Sequence, residues 1–225
     1  MRITNGYHVD NIKPVTLKHC MGNDDLVVDA ARVSFSKQAN MYSVKQNQKL
    51  IQYLAKHEHW TPFAHPQLCF HFAAPIAIAR QLDKHQIGFV KNEVSRRYVS
   101  DEPMIFVPET FRQRPENMKQ GSVTEGEVPV QGDVLEDVKA DAKEAIANYN
   151  ALLNRGVCPE QARFYLPQNM ITEWYWTGSL YGWLRMVKQR EDSHAQAECY
   201  PYAAAVKAAI KERFPLVYGA FYDYD

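Results

Sequence analysis

Residues 67–75, QLCFHFAAP, place Leu68, Phe70 and Phe72 on one side of an extended chain and Gln67, Cys69 and His71 on the other. Successive side chains of a strand point to opposite faces of the pleat, so this period of two asks for a sheet with one buried face. A second segment, NMITEWYWTG at 169–178, concentrates aromatic and β-branched residues and reads as another strand. A chain carrying both must build at least a small sheet, and its other elements have to cover it.

Those other elements are patterned mostly as helices. Asn23 suits a helix cap, with Asp24 and Asp25 at the positive end and Leu26, Val27, Ala30, Ala31 and Val33 following. A second helix is expected from Val44 to His57, with Leu50, Ile51 and Leu54 on one face, and the two prolines of WTPFAHP make the next stretch a loop. Pro75 starts a short helix running to about His85, and Gly88 breaks the pattern. From Pro108 to Gly132 the chain is polar and rich in Pro, Gly and Glu, a long surface loop or lid. A long helix follows over Val134–Asn154, stopped by Gly156, then a short one from Pro159 to Pro167. Ser179 can cap a helix whose Leu180, Trp183, Leu184 and Val187 form one stripe, and a last helix spans Ser193–Arg213. The sum is a single α+β domain over residues 1–225, helix-rich, with a small central sheet of two or three strands.

Bulk properties narrow the function. The chain has 225 residues, 46% hydrophobic and 23% charged, as an ordinary globular domain does. Lys+Arg and Asp+Glu both number 26, and this zero net charge argues against a general polyanion binder, so any anion chemistry must be local. No apolar run is long enough to span a membrane, and MRITNGYHVD lacks the core of a signal peptide. The four cysteines form no CxxC pair and suit reduced thiols. A cytoplasmic protein with no membrane or nucleic-acid partner is expected.

One stretch gathers the cations. Lys84–Tyr98, KHQIGFVKNEVSRRY, holds Lys84, Lys91, Arg96 and Arg97 with a hydroxyl and an amide. With Gln81 nearby, this matches what a phosphate monoester needs, although a solvated turn would look the same. Arg163 stands on an otherwise apolar element, free to grip a ligand or pair with Glu160. Arg190 ends the helix begun at Ser179, where any cation is favourable. His57, His59, His65 and His71 fit no metal-ligand frame, and no zinc site is expected.

Taken in order, ARVSF (31–35), KHEHWTPFAH (56–65), APIAIARQLDKHQ (74–86), NEVSRRY (92–98), ARFYLP (162–167) and REDSHAQAE (190–198) make the chain resemble the flavin-dependent thymidylate synthases over nearly its whole length. The resemblance implies that family's fold, a homotetramer, and active sites where subunits meet. It implies a methyltransferase of dTMP biosynthesis: dUMP methylated at C5, with 5,10-methylenetetrahydrofolate giving the carbon, reduced FAD giving hydride, and NADPH re-reducing the flavin. Gln81, Lys84, Ser95, Arg96 and Arg97 fall where the family holds the nucleotide. Arg163 falls where it orients the pyrimidine, and Arg190 where it polarises the ring so that C5 attacks. Ser34, His59, Thr61, Ile87, Asn92 and Glu93 match flavin-lining positions, and Ser179, Tyr181 and Arg185 lie on the helix that holds the cofactor's adenylate end.

The match has departures. The family's Arg-His-Arg, seven residues, then Ser becomes Lys84-His85-Gln86, eight residues, then Ser95. Ala64 stands where a glutamate is usual, and Ser179, Tyr181 and Arg185 replace Asn, Arg and Asn, so that Arg185 is expected to supply the charge Tyr181 lacks. None of the cysteines follows a proline, as the nucleophile of cysteine-dependent thymidylate synthases does. With the flavin side altered more than the nucleotide side, the alternatives are a hydroxymethylase of dUMP or dCMP, or a nucleotide binder without catalysis.

Overall fold

A computed structural model describes residues 2–5, 13–99, 101–114 and 131–223. Its centre is an antiparallel four-stranded sheet in the order β2 (Val15–Met21), β3 (Gln67–Pro75), β6 (Ile171–Ser179), β4 (Phe89–Glu93). A separate parallel pair joins β1 (Arg2–Asn5) to β5 (Met104–Val107). The two segments expected as strands are therefore the two central strands, paired along their full length from Gln67 opposite Ser179 to Pro75 opposite Ile171.

The alternation decides which face is covered. Leu68, Phe70 and Phe72 of β3 and Trp174 and Trp176 of β6 are buried on one side. Against them pack α1 (Asp24–Arg32), α2 (Val44–Lys56), α6 (Leu180–Arg190), α7 (Tyr200–Arg213) and α8 (Pro215–Tyr222), through Val27, Ile51, Trp183, Val206 and Val217. A second cluster forms where α4 (Gln131–Asn154) covers β5 and α5 (Pro159–Ala162), through Ile105, Ile146, Tyr149 and Ala162. Strand β4, which the sequence pattern did not suggest, owes its place to glycine. Phe89 lies where a Cβ on Gly178 would come within 2.3 Å of its ring and one on Gly182 within 2.9 Å. The bare backbone of those two positions is thus a cradle for the ring, which also meets Trp176 and Trp183 edge-on or tilted at 4.7 Å.

Several expected boundaries move. α3 (Ile76–Leu82) stops short of His85, and residues 83–88 turn tightly instead, with Phe89 N–H reaching the Gln86 carbonyl at 3.2 Å and Gly88 at φ +79°. Residues 193–196 are not helical. The last long helix starts at Tyr200, where Pro201 sits in the first turn and needs no amide partner. PLVYGAFY forms α8, capped from far away by Asp24, whose carboxylate accepts the Leu216 and Val217 amides at 3.0 Å each. Burial raises the Asp24 carboxyl above its ordinary pKa, and those two amides pull it back. The lid expected within 108–132 falls largely on residues 115–130, outside the described residues.

Candidate active site

The start of α3 is fixed by unusual bonds. Pro75 supplies no amide, and the first free N–H groups, of Ile76 and Ala77, donate to the carbonyls of Met170 and Gln168 at 3.0 Å each. This docks α3 on the segment that follows Arg163. At the other end, Arg190 leaves α6 and crosses to α3: its Nε donates to His85 Nε2 at 2.9 Å and one terminal nitrogen donates to the Gln81 carbonyl at 2.9 Å. Gln81 is held at its side chain as well, its Oε1 accepting from the thiol of buried Cys199. Arg190 is thus more than a cation at a helix end. Among the described residues two of its five N–H groups are engaged, and three remain in a plane already set.

To accept from Arg190, His85 must be neutral with its proton on Nδ1. Burial, then the Arg190 and Arg185 charges, lower its pKa from the ordinary 6.5 to about 4. Between those values the unfolded chain binds the extra proton, so stability rises with pH and is lost as pH falls from 6.5 to about 4. We expect His85→Gln, which keeps an acceptor without a titration, to flatten the pH dependence of denaturant midpoints across that window. A slope equal to the wild-type slope would remove His85 as its source.

A second group forms around Arg97. Its guanidinium meets Glu160 of α5 at 3.2 Å and the Tyr98 hydroxyl at 2.7 Å, and its own amide donates to Ser95 Oγ at 3.3 Å. Glu160 therefore pairs with Arg97 and not with Arg163, which lies three residues on and is exposed. Both members of that pair are largely exposed, and such pairs are worth ~0–1 kcal/mol, so a phosphate could displace the carboxylate at little cost. The other cations of the stretch divide. Lys91 is taken up by Asp83 at 2.8 Å and Glu93 at 2.7 Å, and Arg96 by the Asp101 carbonyl, whereas Lys84 is exposed on the 83–88 turn.

The flavin-side residues do not sit together in one subunit. Asn92 lies opposite Tyr175 and Glu93 opposite Trp174, on opposite faces of the sheet, with Glu93 accepting from the Thr172 hydroxyl at 2.7 Å. Ile87 projects from its turn, 85% exposed. Ser34 and Thr61 line one opening together with His59. His59 also borders a cavity of about 640 Å³ between the α2 end, α6 and α8, shared by Trp60, Tyr181, Arg185 and Lys188. Glu58, in the left-handed region at φ 55° without being glycine, closes the end of α2 and aims His59 and Trp60 there. The Arg185 guanidinium lies 6.0 Å from the Tyr181 ring on the same wall, and Ser179 spends its hydroxyl oxygen capping α6 at the Gly182 amide. Tyr181 in turn faces Trp60 at 5.7 Å. An aromatic pair flanked by Arg185 and Lys188 has the chemistry to take a flat ring joined to phosphates. Sequence reading missed Trp60, His85 and Cys199 as site residues. A tryptophan among histidines was the available signal for the first, the place of His85 in Lys84-His85-Gln86 that for the second, and Cys199 carried none.

The histidines otherwise serve packing and pairing, His71 with Glu173 at 3.0 Å and His57 against the Tyr53 ring at 4.3 Å. Among the described residues no group of three or more His, Cys, Asp or Glu could hold a metal ion, and no helix is long and apolar enough to cross a membrane.

The fold has solved counterparts among nucleotide methylases. The fold is similar, at a TM-score of 0.87 and 26% identity, to the UMP/dUMP methylase PolB from Streptomyces cacaoi bound with 5-Br dUMP, covering 100% of this chain and 98% of that one. The same methylase bound with 5-Br UMP gives a TM-score of 0.83. Residues 16–216 match the family model described as thymidylate synthase complementing protein, and the chain belongs to that family of methyltransferases, the flavin-dependent thymidylate synthases. The flavin-dependent thymidylate synthase of Thermus thermophilus is 38% identical over 207 residues, 92% of this chain and 74% of that one. That of Kosmotoga olearia is 35% identical over 210 residues, 93% and 90% of the two chains.

Proposed function

We propose that this chain methylates dUMP at C5, with methylenetetrahydrofolate as carbon donor and FAD as bound cofactor. The observation that carries the reading is the fixed Arg190 guanidinium, held by His85 and Gln81 beside the turn that bears Lys84. Uracil C5 attacks an electrophile only if negative charge can build on O4 and N3, and the three unengaged N–H groups of Arg190 are suited to stabilise it. Gln81, Lys84, Ser95, Arg96 and Arg97 hold the nucleotide, chiefly its phosphate, and Arg163 orients the ring. Trp60, Tyr181, Arg185 and Lys188 hold the adenylate end of FAD, while Ser34, His59, Thr61, Ile87, Asn92 and Glu93 line its other parts. When bound and reduced by NADPH, the flavin supplies the hydride that completes the methyl group.

No enzyme thiol is needed. Burial pushes Cys199 up to about 11, which leaves it almost wholly protonated and a poor nucleophile at neutral pH. The Arg97 and Arg190 groups, and the two faces of β4, are completed in a homotetramer by residues of a second subunit. Exposed Ile87, Phe35 and Phe164 are apolar side chains that such an assembly would be free to bury.

The aromatic pair at the flavin-side cavity, with Tyr181 where a family arginine is usual, favours one second reading: hydroxymethylation, which uses the folate carbon and water and needs no net hydride. Mass analysis decides between them. With methylenetetrahydrofolate, FAD and NADPH supplied, dUMP should gain one CH2 group, with dCMP and UMP converted far less. Gain of CH2O would establish the second reading, and unchanged nucleotides in all three reactions would end both.

A further inference from the structure

We propose that Cys199 is a positioning residue whose buried thiol, donating a hydrogen bond, sets which way round the Gln81 carboxamide faces and so presents its NH2 group to the nucleotide. The inference rests on the reading of Gln81 as a nucleotide contact.

A carboxamide is nearly symmetrical in shape and opposite in polarity at its two ends. Half a turn about its last bond exchanges a double donor for an acceptor, and only its neighbours decide which state holds. Gln81 is held at two points. Its main-chain carbonyl is fixed by Arg190, and its side-chain Oε1 accepts from Cys199 Sγ, on the 197–199 turn packed against α3. Cys199 is fully buried, so no water replaces it as partner. A thiol can hold the oxygen end only while it is protonated, because a thiolate would accept and draw the NH2 end instead. Burial, with Glu198 adding to it and Arg190 opposing it, keeps the proton on.

With Oε1 engaged, both N–H bonds of the amide are left for other partners. At its main-chain carbonyl the same residue receives the Arg190 guanidinium, so both donor groups are anchored at Gln81. In this orientation the amide offers donors only. It fits an acceptor on the ligand, a phosphate or pyrimidine carbonyl oxygen, and rejects a donor placed there. Cysteine suits this position because it buries like a small apolar side chain, yet supplies the single donor needed.

A double-mutant cycle with direct dUMP titration of the flavin-loaded protein tests this. Loss of a neutral hydrogen bond of this kind weakens binding by about 3- to 10-fold. Cys199→Val should raise the dUMP Kd by that factor and raise KM more than it lowers kcat. Cys199→Ser, which keeps a donor, should stay within about twofold of wild type. In a Gln81→Ala background the effect of Cys199→Val should vanish, since the thiol acts only through the amide. Should Val prove too large to fold, Cys199→Ala removes the donor without added bulk and carries the same expectations. An undiminished effect in the Gln81→Ala background, a Ser variant as weak as Val, or unchanged binding in the Val and Ala variants would overturn the inference while leaving the proposed function standing. Absence of dUMP binding by the wild-type protein would overturn both.

Discussion

Arg190→Ala should lower kcat by about 10²- to 10³-fold, the cost of removing one preorganised stabiliser of developing charge. The dUMP affinity should fall much less. The residues proposed to hold the phosphate, on the Lys84 turn and around Arg97, lie on other elements and survive the change. The split follows from where charge appears: a ground-state uracil is neutral, and only the reacting ring carries charge on O4 and N3 for a guanidinium to meet. Arg190→Lys should recover little. One ammonium cannot reach His85 Nε2 and the Gln81 carbonyl, both at 2.9 Å, and still present a planar edge to the ring. Single-turnover rates measured beside dUMP titrations separate the two effects. Equal loss of binding and turnover would make Arg190 an anchor.

Trp183→Ala should be the most damaging single change to stability. The side chain is fully buried, its Nε1 donates at 3.1 Å to both Leu68 and Gly178 carbonyls, and its ring meets Phe70, Phe72, Phe89 and Trp176 within 4.7–6.0 Å. Truncating a buried tryptophan costs about 3–5 kcal/mol. For a chain of this length each kcal/mol lowers Tm by about 2–4 °C, so a drop of about 6–20 °C is expected in thermal melts at matched protein concentration. The damage should reach the site. Arg190 lies seven residues on, on nearly the same face of α6, and Phe89, which ends the Lys84 turn, leans on the same ring. A loss below about 1 kcal/mol would mean that the surrounding aromatics collapse to fill the space.

The two residues differ in how visible they were before any coordinates. Arg190 could be singled out because it opens REDSHAQAE, a run that carries the family resemblance. Trp183 stood out as one member of an apolar stripe, with nothing to mark it above Leu180 or Val187. β4 was not legible, because FVKNE has neither a sustained alternation nor strong strand formers throughout. Its place depends on Phe89 finding bare backbone at Gly178 and Gly182, about ninety residues away in the chain. α8 escaped for a related reason. It is apolar on every side, and the carboxylate that caps it is Asp24, whose own local pattern marks it as the first turn of α1.

Periodicity is a local property, written within ten or so residues, so β3, β6, α6 and the Asn23 cap could be read directly, as could the gathering of cations near Lys84. Which of those cations stays available was decided by folding: Lys91 is consumed by Asp83 and Glu93, and Arg97 holds an exposed carboxylate that a phosphate can replace. The pairings that define the site join Arg190 to His85 across 105 residues and Cys199 to Gln81 across 118. Hydrogen bonds reach about 3 Å and are blind to sequence distance, so no pattern along the chain could announce them. They exist because the buried aromatic face of the sheet brings α3, α6 and the 197–199 turn together at one end.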